Sequence, residues 1–239
     1  MKNALVMLII CISFPCIAQP PQRPLLPLNA YTLPGYTAID VSEAFDLPPG
    51  VEFSSVSAVA LNSENHLIVL HRAPQPFIEF DTDGSFIRSF GTEDLFTRSH
   101  GLRIDDQDNL WTTDVSGQVV MKLNSDGEIL MTIGTKGEAG EWNEATGSHL
   151  FNQPKADAID SVGNIYVAQG HGAAEPGILK FSPEGEFISQ WGSRGDGPGE
   201  FAVAHSIEID DDDNIYVADR ENFRIQIFNT DGDYLSEWN

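Results

Sequence analysis

Two histidines are the residues best placed to do chemistry in this chain. His100 and His205 occupy the same phase of a strand pattern that recurs four times. Ser99-His100-Gly101-Leu102-Arg103-Ile104-Asp105 leads to a turn and the aromatic strand Asn109-Leu110-Trp111. Ala204-His205-Ser206-Ile207-Glu208-Ile209-Asp210 leads in the same way to Asn214-Ile215-Tyr216. A repeat architecture sets equivalent positions around one axis, so the two imidazoles should converge on a shared central space. That suits a metal, since neutral imidazole is a common metal ligand. A plainer alternative stays open, in which the pair only lines a channel and hydrogen-bonds.

The elements that must position these residues are short strands. One anchor of the repeat is a turn running into a strand, at Asn65-His66-Leu67, Asn109-Leu110-Trp111, Asn164-Ile165-Tyr166 and Asn214-Ile215-Tyr216. The other is a tight turn, at Asp83-Gly84, Asp126-Gly127, Glu184-Gly185 and Asp231-Gly232, which suits a hairpin. Stretches such as Arg224-Ile225-Gln226-Ile227-Phe228 alternate with the period of a half-buried strand. The turn asparagines lie 44, 55 and 50 residues apart, a spacing that fits the blades of a β-propeller. The expected fold is therefore all-β: four four-stranded blades over residues 51–239. A propeller must close on itself to hide its sheet edges; four blades could close in principle, but the ring is expected to continue past Asn239. The phase is filled by Ser57, His100, Lys155 and His205 in turn.

Residues 1–18 read as a secretory signal, with Lys2, the apolar run from Ala4 to Ile12, and Cys16-Ile17-Ala18 as the cleavage site. Residues 19–50 read as a Pro-rich leader and lead-in strand. The expected product is exported, periplasmic or extracellular, with no membrane span. Both cysteines, Cys11 and Cys16, fall in the signal, which leaves no disulfide. The net charge is −23, and −24 once Lys2 is removed, which argues against nucleic acid and anionic membrane as partners. Many of the acids sit in turns, where Asp is locally favoured. Asp210 to Asp213 lacks the spacing of an EF-hand. His66, His149 and Arg194-Gly195-Asp196 lie in turns or connections and are not candidates.

Taken together, these residues resemble the NHL-repeat propellers, and more narrowly the lyase domain of the peptidylglycine α-amidating monooxygenases. The resemblance rests on Val56 to Leu61 leading to His71-Arg72, on Ser99 to Leu102 with Trp111-Thr112-Thr113-Asp114, and on Phe151-Asn152-Gln153-Pro154. It continues through Lys180-Phe181-Ser182-Pro183-Glu184-Gly185, and through Ala204-His205-Ser206 to Ala218-Asp219-Arg220-Glu221-Asn222. It implies a six-bladed propeller with zinc on His100, His205 and a third histidine. It implies active-site arginines at Arg72 and Arg220, and a structural calcium held partly by the main-chain oxygens of Val59 and Leu102. One departure bears on the reaction. Where the family has an active-site tyrosine, the chain reads Gln169-Gly170-His171. His171 is then a replacement base, or even a zinc ligand, or else an exposed loop histidine.

The function so implied is a zinc-dependent C–N lyase that splits a peptidyl-α-hydroxyglycine, or a related carbinolamide, into an amide and glyoxylate. Arg72 or Arg220 would grip the carboxylate, which a guanidinium does with two parallel hydrogen bonds; the plainer role for either is tying blades together through carbonyls. The alternative function is a non-catalytic propeller binding a peptide, glycan or protein, because fold alone does not fix function. The oligomeric state is not legible.

Overall fold

The computed structural model describes residues 45–170 and 175–239. The expected signal peptide, the leader up to residue 44, and His171 lie outside the described residues.

Four antiparallel four-stranded sheets follow one another along the chain. The first holds β1 (Val56–Leu61), β2 (Leu67–His71), β3 (Phe77–Phe80) and β4 (Phe86–Phe90). The second holds β5 (Ser99–Ile104), β6 (Leu110–Asp114), β7 (Val119–Leu123) and β8 (Ile129–Gly134). A small hairpin of β9 (Trp142–Asn143) and β10 (Ser148–His149) leads to the third sheet. That sheet holds β11 (Pro154–Ile159), β12 (Ile165–Gln169), β13 (Gly177–Phe181) and β14 (Phe187–Trp191). A parallel pair, β15 (Ser193–Arg194) and β16 (Glu200–Phe201), precedes the fourth sheet of β17 (Ala204–Ile209), β18 (Ile215–Asp219), β19 (Arg224–Phe228) and β20 (Tyr234–Trp238). In each sheet the strands pair in sequence order. The first strands pack on one another, β1 on β5, β5 on β11 and β11 on β17. This is the arrangement of propeller blades around a channel.

The repeated sequence explains the repeated turns. Asp105, Asp160 and Asp210 end the inner strands, and each accepts the backbone N–H of the asparagine four residues on, at 2.8–2.9 Å. The same carboxylates take the Trp111 indole N–H at 3.0 Å and the Tyr166 and Tyr216 hydroxyls at 2.9 Å. The Asp…Asn-x-aromatic spacing is thus a hydrogen-bonded turn that also fixes the next strand's aromatic. The first blade corrects the expected register by one residue. Its Asn62 stands in for the aspartate and accepts from His66 N–H at 2.9 Å. His66 therefore matches Asn109, and Asn65 takes the left-handed position (φ +62°) that Asp108, Gly163 and Asp213 take in the other blades. An asparagine tolerates that conformation, which is why a wrong register looked plausible in the sequence.

Three apolar clusters fill the spaces between blades. Leu70, Phe77, Phe90, Val119 and Met121 join the first two. Trp111, Val120, Phe151, Val167 and Phe181 join the second and third. Tyr166, Ile178, Phe201, Val217 and Phe228 join the third and fourth. On its other face the first blade is covered by the lead-in residues Phe45, Leu47, Val51 and Phe53.

All four inner strands share one irregularity. Pairing skips from Val56 to Ala58, from Ser99 to Leu102, from Pro154 to Ala156 and from Ala204 to Ser206. A bulge of this kind bends the strand and re-aims a side chain. The residues passed over include Ser57, His100, Lys155 and His205.

Candidate active site

Each bulge is anchored by a buried polar residue at the end of the second strand. Asp114 accepts the N–H groups of Thr97 and Arg98 at 2.6 and 2.8 Å. Asp219 accepts those of Ala202 and Val203 at 2.9 and 3.1 Å. Gln169 Oε1 accepts from Asn152 N–H at 3.0 Å, and His71 Nδ1 from Ser54 N–H at 3.1 Å. These four positions pair with the first residue of the inner strands. They hold the incoming chain at the point where the bulge begins.

At that point the structure brings His100 and His205 together, with ring centroids 5.4 Å apart and planes inclined at 68°. His100 Nδ1 lies 2.8 Å from the carbonyl of Lys155. A carbonyl only accepts, so Nδ1 carries the proton and the lone pair is left on Nε2. Burial, then the Lys155 ammonium, push the His100 pKa down to about 4, so the ring is neutral at pH 7. A neutral imidazole oriented through its other nitrogen is the form in which histidine binds a metal. These two residues therefore fit zinc. Among the described residues no group of three or more His, Cys, Asp or Glu side chains could hold a metal, so the pair by itself falls one short of the three protein ligands that a catalytic zinc takes.

Arg72 and Arg220 stand at one phase, directly after the anchoring residues, and their N–H groups bond Ser55 O and Val203 O at 3.0 Å. The Arg72 guanidinium donates from Nε and Nη2 to Ser99 O, at 3.3 and 3.1 Å, and so ties the first blade to the second. The Arg220 guanidinium pairs with Glu221 at 2.8 Å. Burial, then Arg98, Arg220 and Arg72, lower the Lys155 pKa. This mouth of the channel is therefore cationic in a chain of net charge −23.

Comparison with known proteins agrees with this geometry. The chain is 34% identical over 227 residues to rat peptidylglycine alpha-amidating monooxygenase, covering 80% of the chain and 22% of that protein. It is 30% identical over 193 residues to human NHL repeat-containing protein 3, covering 76% and 54%. It is 31% identical over 159 residues to fruit-fly peptidyl-alpha-hydroxyglycine alpha-amidating lyase 1, covering 61% and 28%. The family DUF5128, described as a 6-bladed beta-propeller, matches residues 160–239. The chain is an NHL-type β-propeller related to the amidating lyases. It spans between about a fifth and just over half of the length of these relatives. Among solved structures, a streptogramin B lyase superposes with a TM-score of 0.56 at 15% identity, covering 79% of this chain and 55% of that one. That likeness concerns the fold alone.

Further along the propeller's channel, Val59 and Leu102 share one strand position with Asp157 and Ile207. Here the sequence reading missed the residues that matter. Arg103 crosses between blades, donating from Nε to Asp157 O at 3.4 Å and from Nη2 to Ile207 O at 3.2 Å, and pairs with Glu208 at 2.7 Å. The Asp157 side chain is 2% exposed, and neither of its oxygens has a partner among the described residues. Burial pushes its pKa up to about 6, against the pull of Arg103. A buried carboxylate with both oxygens unpaired fits the oxygen-donor chemistry of a hard cation such as calcium. The only signal in the sequence was Asp157 itself, an acid where the other inner strands carry Val59, Leu102 and Ile207.

Proposed function

We propose that this propeller is an exported, zinc-dependent lyase acting on carbinolamides that carry a carboxylate, peptidyl-α-hydroxyglycines above all. The observation that carries the reading is the His100–His205 pair, set on equivalent bulges with the His100 tautomer fixed by Lys155 O. Zinc held by the two imidazoles would supply a Lewis acid that lowers the pKa of a bound hydroxyl. Arg72, whose guanidinium spends only Nε and Nη2 on Ser99 O, holds the substrate carboxylate near the histidines, with Arg220 beside it. His171 is proposed as the proton acceptor, in the place where the family has its tyrosine. As the hydroxyl proton leaves, the C–O bond becomes a carbonyl and the C–N pair departs with nitrogen. Nitrogen then takes a proton, and the products are an amide and glyoxylate. Calcium at the level of Val59 and Leu102, with Asp157 at hand, is proposed as a structural ion.

The test is turnover of N-benzoyl-α-hydroxyglycine to benzamide and glyoxylate by the mature protein, with its zinc measured in parallel. We expect turnover that disappears on chelation and returns with zinc. Zinc-loaded protein that leaves the substrate at its spontaneous rate would overturn the reading. In that event the second reading stands, a propeller that binds a peptide, glycan or protein without transforming it, since fold alone does not fix function.

A further inference from the structure

Lys155 is the member of the bulge set that neither the metal reading nor the packing uses. It holds in the third blade the position that His100 and His205 hold in the second and fourth. Its carbonyl is fully employed, accepting from His100 Nδ1 at 2.8 Å and from Thr113 Oγ1 at 2.9 Å. The residue is only 7% exposed. Among the described residues no hydrogen bond or ion pair engages its ammonium. The charged groups that act on it are Arg98, Arg220 and Arg72, all cations.

The stem is buried, but Nζ is not among the enclosed unpartnered polar atoms and so opens on the solvent of the channel. The arginines whose charge acts on it repel it. Glu221 pairs with Arg220, and among the described residues no carboxylate pairs with Arg72 or Arg98. The Asp114 carboxylate is spent on backbone N–H groups. Beside Ser99 a cleft of about 280 Å³ opens, lined by Arg72 and Arg98 together with Glu93 and Thr92. The other end of the channel is more acidic, with Asp105, Asp106, Asp160 and Glu208 outnumbering Arg103 and Lys122 around a cavity of about 550 Å³. The cationic end is therefore the one that favours an anion. Arg72 donates to the carbonyl of Ser99, the next residue, His100, donates to Lys155 O, and the Lys155 ammonium opens on the same channel, so cations converge where an anionic ligand would be held.

We propose that Lys155 grips the carboxylate of the ligand, completing with Arg72 and Arg98 an anion site beside the two histidines. The location rests on the lyase reading, but the binding does not need zinc. Lys155 is then a specificity-determining residue that separates acids from their neutral amides.

The probe is hippurate, which carries the N-acyl group and the carboxylate but no hydroxyl to cleave, set against its neutral amide, hippuramide. Binding of both is measured by calorimetry on the zinc-bound and the chelated mature protein, for wild type, Lys155→Met and Lys155→Arg. We expect Lys155→Met to weaken hippurate at least tenfold, Lys155→Arg to restore most of the loss, and hippuramide to bind all three proteins alike. Zinc content should not change. Should Lys155→Met fail to fold, Lys155→Arg and Lys155→Gln carry the comparison, with Gln showing the loss. Hippurate binding within twofold of wild type in the folded neutral variant overturns the proposal, as does wild type that prefers hippuramide. Hippurate held through Lys155 without turnover of hydroxyglycine substrates sinks the lyase reading alone. Zinc-dependent turnover with an unchanged KM in Lys155→Met sinks this inference alone.

Discussion

The carbonyl of Lys155 accepts the Nδ1–H of His100 at 2.8 Å. The third blade thereby sets the tautomer and ring orientation of a residue on the second. Gly101 makes this approach possible, since a Cβ there would meet Thr113 Oγ1 at 2.8 Å and the Lys155 carbonyl at 3.2 Å.

Gly101→Ala should therefore push the second and third blades apart where the histidines sit. We expect a loss of about 1–3 kcal/mol in stability, as for overpacked sites, and weaker zinc retention in the folded fraction. Denaturant melts and metal content after dialysis measure both. A variant with wild-type stability and zinc would show that the close contact does not matter.

Much of the fold is legible in the sequence because its signals are local. The Asp…Asn-x-aromatic turns and the Gly turns recur with each blade, and Gly84, Gly127, Gly185 and Gly232 all have φ between +82° and +86°. The bulges are not legible. They arise from inner strands meeting anchors such as Asp114 and Asp219, which are distant in sequence from the loops they hold. Nor is Arg103, whose partners Asp157, Ile207 and Glu208 come from two other blades. That His100 and His205 meet was legible from repeat phase, and the same phase held Lys155 without showing that its ammonium would stand among cations.

The anchors should be costly to remove. Asp219 is fully buried and pairs with Arg224 at 3.2 Å, whose side chain is itself 6% exposed. Asp219→Ala leaves that guanidinium and two backbone N–H groups short of an acceptor. A loss of about 3–5 kcal/mol is expected, the range for breaking a buried pair. Chemical unfolding measures it, and a loss below about 1 kcal/mol would contradict the role.

Asp157 should make stability depend on pH. Its folded pKa, raised to about 6, lies above the ordinary value of 3.8. The folded chain therefore holds the proton more tightly, and stability falls as pH rises from about 4 to about 6. The contribution is on the order of 3 kcal/mol. Asp157→Asn should flatten that slope and raise stability at pH 7. An unchanged slope by urea melts at pH 4, 5, 6 and 7 would exclude Asp157 as its source. If calcium binds here, its addition should stabilise wild type and not the Asn variant.

The substrate groups should separate kinetically. Arg72→Ala should raise KM about 10- to 100-fold, in line with a lost charge-assisted hydrogen bond, with zinc retained. His171→Ala should lower kcat with little change in KM. Loss of zinc in either variant would contradict these roles.

The central claim is that His100 and His205 share one zinc ion. Zinc X-ray absorption on the mature protein, with metal content for wild type, His100→Ala and His205→Ala, tests it most directly. The account predicts about one zinc per wild-type chain with nitrogen neighbours at about 2.0–2.1 Å, and loss of that ion in both folded variants. Wild-type protein without zinc, or an unchanged zinc environment in either variant, would contradict it.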